Sequence, residues 1–393
     1  MSANLPFALR RPWLLTRDLL QSRAEPNVER LDAAQDPEVF LWRILPHAAR
    51  TFAICITVLP ADFARAAAVA YLYCRILDTY EDLLPEPAAR EAALTAFSRR
   101  FHVPDGAAPA AAPRITAEYA RDARDRTHVL LVNRCHLLDE VYRTLPPPVR
   151  RDIAELVESM AGGMVWSSQA FASQRGVLTD ATQLSRYCRN VIGLPFLFGV
   201  RLLHERHAGT SEVSAQLRED CMLAGEMVQL ANVTRDIEKD LRRGVAYHPA
   251  LARDLGRSDC DEPKLRQRIR EVRQELLLRA LRLAPAYARM MAALPFGRIS
   301  LARSSGTLML LFTDRYYRSC ARRVGLAPWA GTPLTVLLIL LSAGHVFSGR
   351  WAAATTRRIT DRMVQFAKKT EGGAKTPPPS LPVRTPSRSP STG

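Results

Sequence analysis

The chain has 393 residues, enough to bury a sizeable core as one large domain or two ordinary ones. Its 55 Lys and Arg outnumber 39 Asp and Glu, and the net charge of +16 implies attraction to polyanions: nucleic acid, anionic lipid or a diphosphate. No aromatic-plus-basic motif of a nucleic-acid-binding module is present, so nucleic acid is not an expected partner. Half-buried strand alternation is scarce, which predicts an all-α fold. The seven cysteines are scattered without metal-finger spacing and read as reduced, buried thiols of a cytoplasmic protein.

Residues 1–35 read as a polar lead-in with a short amphipathic piece around Trp13 to Leu20. Arg10, Arg11, Arg17 and Asp18 interrupt its apolar residues, unlike a signal peptide. Apolar periodicity then predicts helices over 38–58 and 61–83, separated at Pro60. Val103 to Pro113 is rich in Ala, Pro and Gly and reads as a loop. Further helices are expected over 119–144, then after Pro146-Pro147-Pro148 over 149–175, 180–206, 211–243, 262–292 and 299–323.

Val324 to Gly349 holds no charged residue, and Leu334 to Leu341 is almost purely aliphatic. Length alone fits a membrane span. Pro328, Pro333, Gly344 and His345 weaken that reading, and the alternative is a buried terminal helix or a re-entrant, interfacial one. Arg322, Arg323, Arg350, Arg357 and Arg358 flank the run and suit a cytoplasmic membrane face or anchor. From residue 368 onward Lys, Pro, Ser, Thr and Gly dominate, and 368–393 reads as a disordered tail.

Two acidic clusters interrupt apolar helical stretches. The first is Asp78-Thr79-Tyr80-Glu81-Asp82, preceded by Tyr71 and Arg75, so that Tyr71, Arg75, Asp78 and Asp82 lie near one helix face. An isolated cluster of this kind is ordinarily a solvated salt bridge. The apolar residues from Ala66 to Leu77 argue against simple exposure. The second cluster places Asn232, Asp236 and Asp240 at i, i+4 and i+8, an oxygen ladder. Arg235 stands beside it to grip a phosphate oxygen, and Gln229 adds an amide one turn earlier. Two facing carboxylate pairs suit hard Mg²⁺ ions that also hold a phosphate-bearing molecule.

Together these clusters resemble the squalene/phytoene synthase family, in its D-T-x-E-D and N-x-x-R-D-x-x-x-D forms. Arg50-Thr51-Phe52, Met160-Ala-Gly-Gly163-Met164 and Tyr187-Cys188-Arg-Asn-Val191-Ile-Gly193 resemble three further elements of that family, in order. The likeness runs from about residue 45 to 250 and more weakly to about 320. It implies an isoprenoid synthase helical bundle with a central active-site cavity and a catalytic unit over 36–323, followed by an apolar region over 324–367.

The resemblance assigns Asp78, Glu81 and Asp82 to one Mg²⁺-diphosphate site and Asn232, Asp236 and Asp240 to another. Arg50, Arg75 and Arg235, with Gln229, become substrate-binding residues. Tyr71 and Tyr187 face the reacting carbons, with Tyr187 the candidate proton-handling group; read alone, Tyr187 is a packing residue. The implied reaction is the head-to-head joining of two farnesyl diphosphates by a monomeric enzyme, giving presqualene diphosphate or squalene. Squalene formation implies NADPH, although no dinucleotide-binding glycine fingerprint occurs. Phytoene or dehydrosqualene synthesis, cyclisation of a single prenyl diphosphate, and a non-catalytic membrane-associated scaffold are the alternatives.

The chain departs from the family pattern at four places, one being Ile192-Gly193-Leu194-Pro195, where the family more often continues with small residues. Ala49 stands where Ser is usual before the first arginine, and Lys239 replaces an acidic residue before Asp240. Val245 stands where an arginine usually follows the last aspartate by five residues. The shift at Val245 bears on the diphosphate contacts of a second ionisation, for which the nearby Arg242 and Arg243 are the candidate substitutes.

Overall fold

The computed structural model describes residues 6–21, 24–102, 109–210, 212–257, 259–260 and 262–373. Among these the regular structure is helical, with sixteen α-helices and one isolated bridge between Val177 and Ala246. The N-terminal lead-in forms α1 (Phe7–Gln21) and the short α2 (Val28–Asp32). Next come α3 (Pro37–Ala49), α4 (Thr51–Val58), α5 (Ala61–Leu83) and α6 (Pro87–Arg99). The middle of the chain forms α7 (Ala123–Asn133), α8 (Cys135–Arg143), α9 (Pro147–Ser173), α10 (Ala181–Cys188) and α11 (Leu194–Ala208). The second half is built from α12 (Ala215–Arg242), α13 (Pro263–Ala293), α14 (Leu301–Arg323), α15 (Thr335–His345) and α16 (Gly349–Gly373).

Local chemistry explains most starts. Asp36, Asp122, Asp180, Ser214 and Ser300 cap α3, α7, α10, α12 and α14 by accepting first-turn amides. The triple proline ends nothing beyond Pro146, because α9 begins at Pro147, where a missing N–H costs nothing. The expected 38–58 helix is two helices. Arg50, at φ 52, breaks the ladder between them. The expected 180–206 helix is interrupted by a π-helical turn at Arg189–Gly193. Helix α6 has no counterpart among the expected elements; its weak amphipathicity hides it.

Two apolar clusters form the interior. One is centred on α3, α5, α8 and α9, and the other on α10 through α14 with α16. Phe52 and Val191 pack against both, so the clusters meet across the start of α4 and the π turn. Helix α16 lies on α13 and α14 and buries Ile359, Met363 and Ala367 in the second cluster.

The region after Arg323 differs from a membrane span. Its apolar run yields only the 11-residue α15, and no helix among the described residues is long and apolar enough to cross a bilayer. The chain also stays helical to Gly373, past the expected onset of the tail at 368, because Met363 and Ala367 anchor this last stretch. The rest of that tail, 374–393, and most of the 103–113 loop lie outside the described residues.

Candidate active site

Helix α5 carries the first acidic cluster at its C-terminal end, and α12 carries the second. Both open onto one cavity of about 1260 Å³ between the two apolar clusters. All twelve residues singled out in the sequence line it: Arg50, Tyr71, Arg75, Asp78, Glu81, Asp82, Tyr187, Gln229, Asn232, Arg235, Asp236 and Asp240.

On α5, one turn of helix brings Arg75 to Asp78 at 3.0 Å, and the same guanidinium donates to the Tyr71 hydroxyl at 3.0 Å. Glu81 accepts from the Ser167 hydroxyl of α9 at 2.9 Å. On α12, Arg235 forks onto its neighbour Asp236 at 2.9 and 2.6 Å. Asn232 commits its amide nitrogen to Gln229 Oε1 at 2.9 Å, which leaves Oδ1 as the atom that could meet a cation.

The two motifs are joined by one of the two arginines that precede Val245. Arg243, just past the end of α12, donates to Asp82 Oδ1 at 2.5 Å and to the Asp82 carbonyl at 3.1 Å. It also lies 3.9 Å from Asp240. Val245, where the family pattern places arginine, instead packs against the second apolar cluster. Gly244 (φ 76) provides the left-handed turn between them.

Burial and crowding of like charge set the electrostatics. Burial pushes the Glu81 carboxyl up to about 8, helped by the neighbouring Asp82 and Asp78 charges. Burial likewise raises Asp240 to about 7, against the pull of Arg243 and with the push of Asp236. Asp78 rises to about 6, chiefly from burial, with Arg75 opposing and Asp82 adding to the rise. At Asp82 burial also acts upward, yet Arg243 overcomes it and holds this carboxyl below the usual range. Burial thus disfavours charge on Asp78, Glu81 and Asp240, whereas Arg243 helps to hold charge on Asp82.

These carboxyls bear on metal binding. The donors are carboxylate and amide oxygens from two helices, the set a hard divalent ion prefers. Among the described residues no three acidic, His or Cys side chains converge to enclose an ion by themselves. An ion held here would need further ligands from water or a bound phosphate-bearing molecule, as Mg²⁺ does at phosphate sites.

The third wall is built by close backbone approach. A Cβ at Gly225 of α12 would stand 2.4 Å from Gly193 Cα, and one at Gly163 of α9 would meet the Asn190 side chain at 2.5 Å. These glycines let the π turn settle between α9 and α12. Buried Glu226 fastens the same stretch, accepting from Arg189 at 3.2 Å and from Arg279 of α13 at 2.9 Å, and from Ser185. Tyr187, held here, accepts a hydrogen bond from Tyr247 at 3.0 Å, with ring centres 4.8 Å apart. Burial raises both hydroxyls well above their ordinary value, so both stay neutral.

Beyond the charged end the lining turns apolar, with Phe52, Tyr287, Met290, Met291, Met309 and Phe312. Tyr247 and Ser167 were missed in the sequence, whereas Arg243 was one of two arginines near position 245 that could replace the absent one. Arg243 lies in the stretch following the second motif, but spacing alone does not show which arginine turns inward. Tyr247 and Ser167 carry no local signal, being brought in by packing from elsewhere.

The squalene/phytoene synthase family profile matches residues 45–325. A comparison with curated proteins gave no significant match. Among solved structures, "The complex structure of TcSQS with ligand, BPH1237" superposes with a TM-score of 0.59 at 14% identity, covering 85% of this chain and 99% of that one. "The complex structure of TcSQS with ligand, E5700" gives 0.58 at 16% identity, covering 86% and 99%. The structural likeness establishes the shared fold, and the family match over most of the chain establishes membership: this protein belongs to the squalene/phytoene synthase family.

Proposed function

We propose that the protein condenses two farnesyl diphosphates head to head, giving presqualene diphosphate and, with NADPH, squalene. The observation that supports this most is one cavity with two oxygen-rich acidic motifs at one end and an apolar, aromatic wall at the other. Its volume of about 1260 Å³ exceeds the range of roughly 300–1,000 Å³ that holds one drug-sized ligand, which leaves room for two prenyl chains.

Asp78, Glu81 and Asp82, with Asn232, Asp236 and Asp240, are the residues that would hold Mg²⁺ against the diphosphates. Bound there, the metal would supply Lewis-acid neutralisation of charge on the departing diphosphate. Arg50, Arg75 and Arg235 add charge-assisted hydrogen bonds to the same oxygens, which favour the separated ions over the intact ester. Arg50 is held toward the cavity by a positive-φ backbone, a strained conformation of the kind that concentrates at functional sites. Arg243 stands in for the arginine absent at 245, supplying its positive charge from two residues earlier.

The apolar wall excludes water from the allylic cation, and the ring faces of Phe52, Tyr71 and Tyr187 stabilise its charge. Tyr187 enters this chemistry as a neutral hydroxyl. Its oxygen accepts the Tyr247 hydroxyl at 3.0 Å, which fixes the Tyr187 ring and hydroxyl at the cavity wall.

The test is incubation of the purified protein with farnesyl or geranylgeranyl diphosphate in Mg²⁺, with and without NADPH. Diphosphate release and a C30 product from farnesyl diphosphate are expected. Geranylgeranyl diphosphate as the preferred substrate would redirect the reading to phytoene synthesis, and release from neither would sink it. Arg243→Ala is expected to lower turnover by roughly 10²–10³. Val245→Arg in that background should recover part of the loss.

A further inference from the structure

Exposed apolar side chains are concentrated at one place. On α15 and its flanks, Leu334 is 76% exposed, Leu337 56%, Leu340 64% and Phe347 71%. Leu337 and Leu340, three residues apart, share a face of α15 and Leu334 stands at its N-cap, while Leu338 and Ser342 on the other side are buried. Ile299, 68% exposed, joins the same patch through the loop before α14. The Ser300 amide donates to the Val346 carbonyl at 3.0 Å, which ties that loop to the end of α15. Buried Arg303 completes the joint by donating to the carbonyls of Gly297, Arg298, His345 and Val346 at 2.7–2.9 Å. The patch is therefore a preorganised surface.

The same two segments line the cavity. Leu334 and Val336 from the start of α15, and Leu294 and Phe296 from the loop before α14, are all wall residues. Because Leu334 is both a wall residue and largely exposed, the cavity reaches the surface at the patch. Positive charge borders it. Arg298 and Arg350 are exposed at its edge, and the exposed face of α16 continues with Arg357, Arg358, Arg362, Lys368 and Lys369 against Asp361.

We propose that α15 and the 297–300 loop form an interfacial docking surface for an anionic bilayer, placed at the cavity mouth so that prenyl chains pass between cavity and lipid. Docking at the interface suits α15, whose 11 residues rise only about 16 Å against a hydrocarbon core of about 30 Å. Apolar side chains flanked by arginines are the combination that binds headgroup and acyl boundary together. A second copy of the chain fits less well, since pairing would bring two basic borders together. The passage of prenyl chains rests on the proposed function; the docking does not.

The experiment is flotation of the full-length protein with vesicles of zwitterionic lipid alone or with about one third anionic lipid. The comparison is Leu337→Glu/Leu340→Glu, two exposed positions outside the cavity wall. Wild type should float with anionic vesicles and much less with zwitterionic ones. The double variant should lose about tenfold in binding while keeping its circular dichroism and its diphosphate release in detergent. Equal flotation of both proteins, or none for wild type, overturns docking. A dimer that the double variant dissolves, without vesicle binding, overturns it in favour of self-association. Vesicle binding without diphosphate release in detergent leaves docking standing and removes the catalytic reading alone.

Discussion

At the residue scale, the raised carboxyls make a prediction about stability. An acid whose folded pKa lies above its unfolded value stabilises the fold while protonated, and this contribution is lost as pH rises through the folded value. Asp78 at about 6, Asp240 at about 7 and Glu81 at about 8 all shift in this direction. The Mg²⁺-free protein should therefore melt at a progressively lower temperature from about pH 5 to pH 8.5. Added Mg²⁺ with inorganic diphosphate should raise the midpoint more at pH 8.5 than at pH 6, because the ligands are then ionised. Thermal melts at the two pH values, with and without these ions, check both statements; a larger gain at pH 6 would reverse the sign of the argument.

The same scale shows what was legible in the sequence. The two acidic motifs announce themselves because carboxylates at helical spacing inside apolar helices are costly without a purpose. Their assigned companions Arg50, Tyr71, Arg75, Tyr187, Gln229 and Arg235 all line the one cavity with them. Arg243 was legible only as one of a pair with Arg242, since its inward course depends on the turn at Gly244 and on Asp82, more than 160 residues away in sequence. Ser167 and Tyr247 were hidden for the same reason: a long-range partner has no periodicity to betray it.

At the element scale, the π turn at Arg189–Gly193 is what periodicity missed in an otherwise well-read helical stretch. One extra residue in a turn barely alters an apolar pattern, yet it reorients the side chains before it. The glycines around the turn give a graded test. Gly225→Ala drives a methyl against the Gly193 and Ile192 backbone at 2.4–2.8 Å, where nothing can swing aside. It should cost about 1–3 kcal/mol and weaken activity by displacing Tyr187. Gly163→Ala meets only the Asn190 side chain, which can rotate, and should cost less. Urea unfolding of the two variants, read as midpoints at unchanged slope, orders them; equal costs would show that the turn is not clamped by α12. The Arg50 break belongs to this scale too, because apolar periodicity runs through it and only the backbone angle reveals it.

At the scale of the whole molecule, the sequence divides near Arg323, where an amphipathic helix gives way to an uncharged run and then a basic one. The fold closes over that division. Leu338, Ile359 and Met363 are buried in the same cluster as α13 and α14, and α15 supplies part of the cavity wall. Burying one such side chain contributes about 1.5–3 kcal/mol, and the stability of a whole domain is only about 5–15 kcal/mol. A chain ending at Arg323 would therefore lose a large share of its stability and expose the flank of α13. It should aggregate or unfold at markedly lower urea than the full chain. A chain ending at Gly373, which keeps every described contact of α16, should match full length. Near-equal unfolding midpoints for the 323-residue and full-length chains would instead make 324–373 an appendage. The match of the family profile to residues 45–325 leaves α15 and α16 outside it, so this comparison asks whether the chain has built its last two helices into the enzyme's core.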